Sequence, residues 1–179
     1  MASGGGWIIG TGASPAATML SQMQAYATAP WLFATVDRIA SSVSSVDWKL
    51  FRAVRPGEFR EVESHRLLDL WRKPNPFYSE EEFVEVSAQH QDLAGETYWL
   101  LLRNASRLIV EMWPVRPDRM KPIPSRDRYL AGYIYTVGSE QIPLEPEDVI
   151  FMRRPSPLDP YRGLGPVQSL MADIEADRS

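Results

Sequence analysis

The sequence predicts an α+β fold: N-terminal helices, then a mostly antiparallel sheet of short strands, with the chain ending inside a helix. Three observations carry this. The apolar spacing has a helical period over residues 15–43, then switches to a period of two. Later apolar runs are separated by short turn sequences such as Asn104-Ala105-Ser106 and Gly138-Ser139, not by crossover helices. Proline is abundant, with 15 residues where an average usage of about 5% would give roughly nine, as expected of many short elements joined by stiff loops.

Residues 1–14 are Gly/Ser/Ala-rich and read as a mobile arm, with Ser14-Pro15 as cap and first helical position of a short helix through Met19, Met23 and Tyr26. Pro30 opens a second helix whose Leu32, Val36, Ile39, Ala40 and Val43 share one face. Val46, Trp48 and Leu50 alternate with Asp47 and Lys49, which predicts a half-buried strand turned back at Pro56-Gly57 into a partner at 59–63. A short helix with Leu67, Leu68 and Trp71 ends at Pro74-Asn75-Pro76. Ser79 and Glu82 form a capping box for a helix through Phe83, Val86, His90 and Leu93, with Gly95 as its stop.

Residues 96–103 and 107–115 read as a hairpin, and 129–137, 141–144 and 149–153 as three further strands. The Pro-rich stretch between Pro114 and Arg128 reads as an extended loop. A last helix opens at Pro166 after Gly165, with Val167, Leu170, Met171 and Ile174 as its apolar stripe. No stop signal follows, so the reading expects the front part of a longer protein. Trp31, Trp48 and Trp71 are expected on core faces; Trp7 and Trp113 are expected to be exposed.

Composition narrows the function classes. With no cysteine there is neither disulfide nor thiolate metal site. The net charge of −4 supplies no overall basic face for gripping phosphates. The longest apolar run near Tyr98–Leu102 is far shorter than the roughly 20 residues of a membrane span, and the N-terminus lacks the pattern of a signal peptide.

The search for chemistry returns no catalytic residue, no metal site and no cofactor. His65 and His90 form no metal-binding pair. Glu80, Glu81 and Glu82 are explained as cap and dipole partners, and Asp92 with Glu96 as a solvated helix end. Gly10-x-Gly12 and Gly163-x-Gly165 lack the rest of a phosphate loop. The candidate contact surface, for another subunit or for DNA, is the basic strip Arg116, Arg119, Lys121, Arg126 and Arg128, interspersed with Asp118 and Asp127. Two other classes stay open: a small α+β hydrolase using Glu81, His90 and Asp92, and a peptide-binding module with an exposed sheet edge and Trp residues.

A series of segments in order resembles the HK97-like family of tailed-phage portal proteins. It begins at Asp37–Phe51, a helix running into an extended segment. It continues through His65-Arg66-Leu67-Leu68, Lys73-Pro74-Asn75-Pro76 with Ser79-x-x-x-Phe83, and Leu93–Tyr98. Trp113-Pro114-Val115-x-Pro117, Tyr133-x-Tyr135, Ile142-Pro143-Leu144, Glu147–Phe151 and Asp159–Val167 complete it. Gly95-Glu96-Thr97, Phe151-Met152 and Gly165 depart from the family pattern.

The resemblance implies a non-enzymatic subunit of a ring, usually of twelve, at the portal vertex of the virion, assembled in the host cytoplasm. Double-stranded DNA would pass through the ring without sequence readout during packaging and ejection. The implied partners are further copies of the chain, a terminase motor, a head-tail adaptor, and the major capsid or scaffolding protein, with no membrane. Residues 1–28 would be an arm and short helix and residues 29–179 the wing, with stem, clip and crown absent.

Overall fold

Two prolines set the start of the fold: Pro15 and Pro30 open α1 (Pro15–Thr28) and α2 (Pro30–Ser44), where a missing N–H costs nothing. The computed structural model describes residues 15–177. The Gly-rich arm, the Ser14 cap, Trp7 and the Gly10-x-Gly12 pair lie outside those residues. The chain continues with a ribbon of β1 (Phe51–Arg55) and β2 (Glu58–Glu61), then α3 (Arg66–Arg72) and α4 (Glu80–Ala94). Next come β3 (Glu96–Arg103), β4 (Ile109–Val115), β5 (Met120–Ser125), β6 (Tyr129–Val137), β7 (Glu140–Leu144), β8 (Val149–Arg153) and α5 (Pro166–Asp177). The class is α+β, and every described strand pairing is antiparallel.

The strands form the ribbon and two three-stranded sheets, ordered β4-β3-β8 and β5-β6-β7. β3 is the central strand of the first sheet, and its alternation builds the layers. Trp99 and Leu101 face the helices, packing with Phe83, Val84 and Met112. Tyr98 and Leu100 face the second sheet, packing with Tyr133, Val149 and Met120. Tyr98 lies flat on Phe151, with centroids 4.6 Å apart and planes 5° from parallel. A third cluster joins α1, α2, α4 and α5 through Ala25, Leu32, Val36, Leu93, Val167 and Ile174. The result is a helical layer, a sheet, and a second sheet.

The capping box of α4 forms as expected: Glu82 N–H donates to Ser79 Oγ at 3.2 Å, and Ser79 N–H donates to Glu82 Oε2 at 2.9 Å. His65 caps α3, its Nδ1 accepting from Leu67 N–H. The 104–106 turn closes the β3–β4 hairpin, with Asn104 Oδ1 accepting from the N–H groups of Ser106 and Leu108.

Four expectations fail. Residues 46–50 form no strand; the strand begins at Phe51, and all nine ribbon residues are exposed. The alternation from Val46 to Leu50 had suggested half-burial, but Val46 and Trp48 are 51% and 46% exposed, Trp48 meeting only the edge of α3 through Trp71, with ring centroids 5.5 Å apart. Trp31 is likewise exposed and not in the core. On α2 only Leu32, Val36 and Ala40 are buried, whereas Ile39 and Val43, on the same angular face, are exposed. Leu170 in α5 is also exposed.

The fourth concerns residues 114–128, read as a loop. This stretch ends β4, makes a 3-10 turn at Pro117–Arg119 and then forms β5. Proline had argued against a strand because it cannot donate to a ladder. β5 is an edge strand, where proline is tolerated, and the ladder with β6 shifts register between Ile123 and Pro124.

Candidate functional site

The structure concentrates its buried polar chemistry where α4 ends and β3 begins. Gly95 stops α4 in the left-handed region at φ 78°, its N–H donating to Gln91 O at 3.0 Å. The segment leading into α5 then crosses this point backbone against backbone. A Cβ on Gly95 would meet Leu164 and Gly165, one on Gly163 would meet Gly95 O, and one on Gly165 would stand 2.7 Å from Gly95 N. Gly163-x-Gly165 therefore supplies two glycines of a three-glycine crossing.

Side chains lock the crossing. Glu96, 0% exposed, receives the Arg162 guanidinium on Oε1 at 2.7 Å, and the Tyr98 hydroxyl donates to the same oxygen at 3.1 Å. Its Oε2 accepts from Gly163 N–H at 2.7 Å. Arg162 also donates to Met120 O at 2.9 Å and to Met19 Sδ, tying α1, β3, β5 and the segment before α5 together. Burial pushes the Glu96 carboxyl above the ordinary carboxylate range, against the opposing pull of Arg162, Gly163 N–H and the Tyr98 hydroxyl. Burial and the nearby carboxylate raise the Tyr98 hydroxyl as well. Arg154 adds a second strap: its N–H donates to Gly95 O at 2.7 Å and its guanidinium meets Asp92 Oδ1 at 2.7 Å.

This arrangement holds the crossing in place. Both carboxylate oxygens of Glu96 are occupied, and the group is sealed from solvent. The sequence had placed Glu96 beside Asp92 on a solvated helix end and had given Arg162 no role. The overlooked signal was a glutamate opening an otherwise apolar strand.

The Glu81, His90 and Asp92 trio does not converge. Glu81 is exposed at the start of α4, and nine residues of helix place His90 about 13 Å further along the axis. Asp92 follows His90 by two positions, on another face of the helix, and is taken by Arg154. His90 is buried; desolvation first, then the Arg116 charge, lowers its pKa to about 4. Among the described residues no group of three His, Cys, Asp or Glu could hold a metal ion, and no helix is long and apolar enough to cross a membrane.

The basic strip divides in two. Arg116 is engaged by Asp118 through two bonds, at 3.0 and 2.8 Å. Arg119, Lys121, Arg126 and Arg128 are exposed along the 3-10 turn, β5 and the β5–β6 turn. Among the described residues none of these four has a carboxylate partner. Three of the four edge strands of the larger sheets carry prolines: Pro114 in β4, Pro122 and Pro124 in β5, and Pro143 in β7. That blunts the strand-addition route of a peptide-binding module.

Among the described residues the buried polar groups hold segments together, and Glu81, His90 and Asp92 do not converge. Comparison with known proteins gives the family. Residues 30–179 match the model described as phage portal protein, and the chain belongs to that family. No curated protein sequence matches.

Among solved structures, a chain from the neck of an empty GTA particle, computed with C6 symmetry, superposes with a TM-score of 0.78 at 26% identity. The match covers 88% of this chain and 43% of that one. Chains from the virion of a native gene transfer agent particle and from the neck of a native GTA particle with C12 symmetry each give 0.74 at 25% identity, covering 88% of this chain and 41% of theirs. The chain thus spans less than half the length of these structural relatives.

Proposed function

We propose that this chain is the wing part of a portal subunit, a structural component of the head-tail connector at one vertex of a virion. The observation that carries the reading is the superposition on particle-neck chains across 88% of the chain, together with the family match over residues 30–179. Its working form is a closed ring of about twelve copies, in keeping with the C12 symmetry of a matched neck. On this reading residues 29–179 are wing, and the three-glycine crossing fixes the angle at which α5 leaves the wing. The role is mechanical and non-catalytic.

Double-stranded DNA passes through the ring during packaging and ejection, driven by a terminase motor. A head-tail adaptor and the capsid or scaffolding protein are the other partners. The acidity of the chain, −4 overall, suits a conduit that must not hold its cargo. Arg119, Lys121, Arg126 and Arg128 are the outward cations available for a subunit or phosphate contact, with Arg116 already committed to Asp118.

Deletion of the gene in a particle-producing cell tests the role. Heads are expected to lack nuclease-protected DNA, and complementation is expected to restore it. Heads that fill normally without the gene contradict the reading.

A further inference from the structure

The buried polar network at the crossing is complete on one side and incomplete on the other. Towards α4 and β3 it is saturated, because Glu96 accepts from Arg162, Tyr98 and Gly163. Towards α1 it is not. Gln22 of α1 is 1% exposed, and among the described residues neither its side-chain oxygen nor its nitrogen has a hydrogen-bond partner. Arg162 Nε is likewise buried and unpartnered. On the α1 side the Arg162 guanidinium meets Met19 Sδ, a weak acceptor. A buried polar atom without a partner is costly, and the great majority in folded proteins have one.

Gln22 and Arg162 line one cavity of about 200 Å³, between α1 and the 156–164 segment. Its other walls are polar too. Ser156 Oγ accepts from the N–H groups of Leu158 and Asp159, at 3.2 and 3.3 Å, which leaves its own proton to donate. Asp159 Oδ1 accepts from Tyr161 N–H at 2.8 Å, which leaves the second carboxylate oxygen to accept. Donors and acceptors are therefore mixed around the wall. An anion here would face the Asp159 carboxylate, and a cation would face Arg162, whose charge Glu96 already balances. The wall suits a small neutral molecule that both donates and accepts. A water takes about 30 Å³ in the liquid, so the volume admits several.

We propose that this cavity is an internal hydration site, in which ordered water carries the hydrogen bonds of Gln22 and of Arg162 Nε. The water joins α1 to the segment that leads into α5. The crossing then has a dry lock against α4 and β3 and a wet joint against α1. Such a joint is not weak, since a bridging water is enthalpically close to a direct hydrogen bond. The inference is independent of the ring reading. A peptide group from another chain would also bring a donor and an acceptor. It offers one of each, fewer than this wall presents, which is why water is favoured.

Two measurements on the full-length gene product test the site. Crystallographic or electron-microscopic density, at a resolution that shows ordered water, is expected to place water about 3 Å from the Gln22 carboxamide and from Arg162 Nε. Gln22→Leu is expected to lower the thermal midpoint by about 2–4 °C, because the bound water loses its partners on α1. The sign is informative. A Gln22 that is dry and unpartnered carries a desolvation cost, so its replacement by leucine would leave the midpoint unchanged or raise it. A cavity without water, a protein segment seated in it, or a midpoint that holds or rises overturns the proposal.

Discussion

Glu96 and Arg162 show how much one buried pair can organise. Each charge is desolvated, so removing one leaves the other uncompensated. Arg162→Met is expected to lower unfolding free energy by about 3–5 kcal/mol, measured by denaturant titration. Glu96→Gln in the same background should recover part of that loss; strict additivity of the two substitutions would show that the pair is uncoupled. His90 gives a pH signature. Its folded pKa of about 4 lies below its ordinary 6.5, so the unfolded chain takes up the extra proton first. The stabilisation is present above pH 6.5 and is lost as pH falls towards 4, by about 3 kcal/mol in all. His90→Gln should flatten that part of the stability–pH curve; an unchanged slope would contradict the assignment.

At the scale of elements, the glycine crossing makes a direct prediction. Gly163→Ala puts a methyl group against Gly95 O, backbone that has little room to move, and is expected to cost about 2 kcal/mol or more, read as a shift in the thermal midpoint. A neutral substitution would mean that the segment before α5 is free to lift away.

The same elements show what the sequence made legible. Local chemistry was readable: Ser79 and Glu82 announced α4, Gly95 its end, Asn104 the hairpin, and Pro166 the start of α5, because each acts within a few residues. The network of Glu96 with Arg162 was not, since its partners stand 66 positions apart and meet only after two sheets have packed. β5 was hidden by its prolines, which are acceptable only because the strand is an edge, a fact of topology. Ile39, Val43 and Val46 carried a burial pattern, yet they are exposed among the described residues. The basic strip was legible as charge, but its division into one engaged and four outward cations was not.

At the scale of the molecule, three layers and three clusters hold the described residues together. A run of exposed apolar side chains from α2 to the ribbon stays uncovered, and a largely apolar groove opens at the seam of the two larger sheets. On the proposed ring reading, contacts between copies are where exposed apolar surface of this kind is covered. Counting the copies is therefore the most direct test. Mass photometry with electron microscopy of the purified full-length product should show closed rings, with about twelve subunits as in the matched C12 neck. A product that stays monomeric or forms only open chains under every assembly condition would contradict the account.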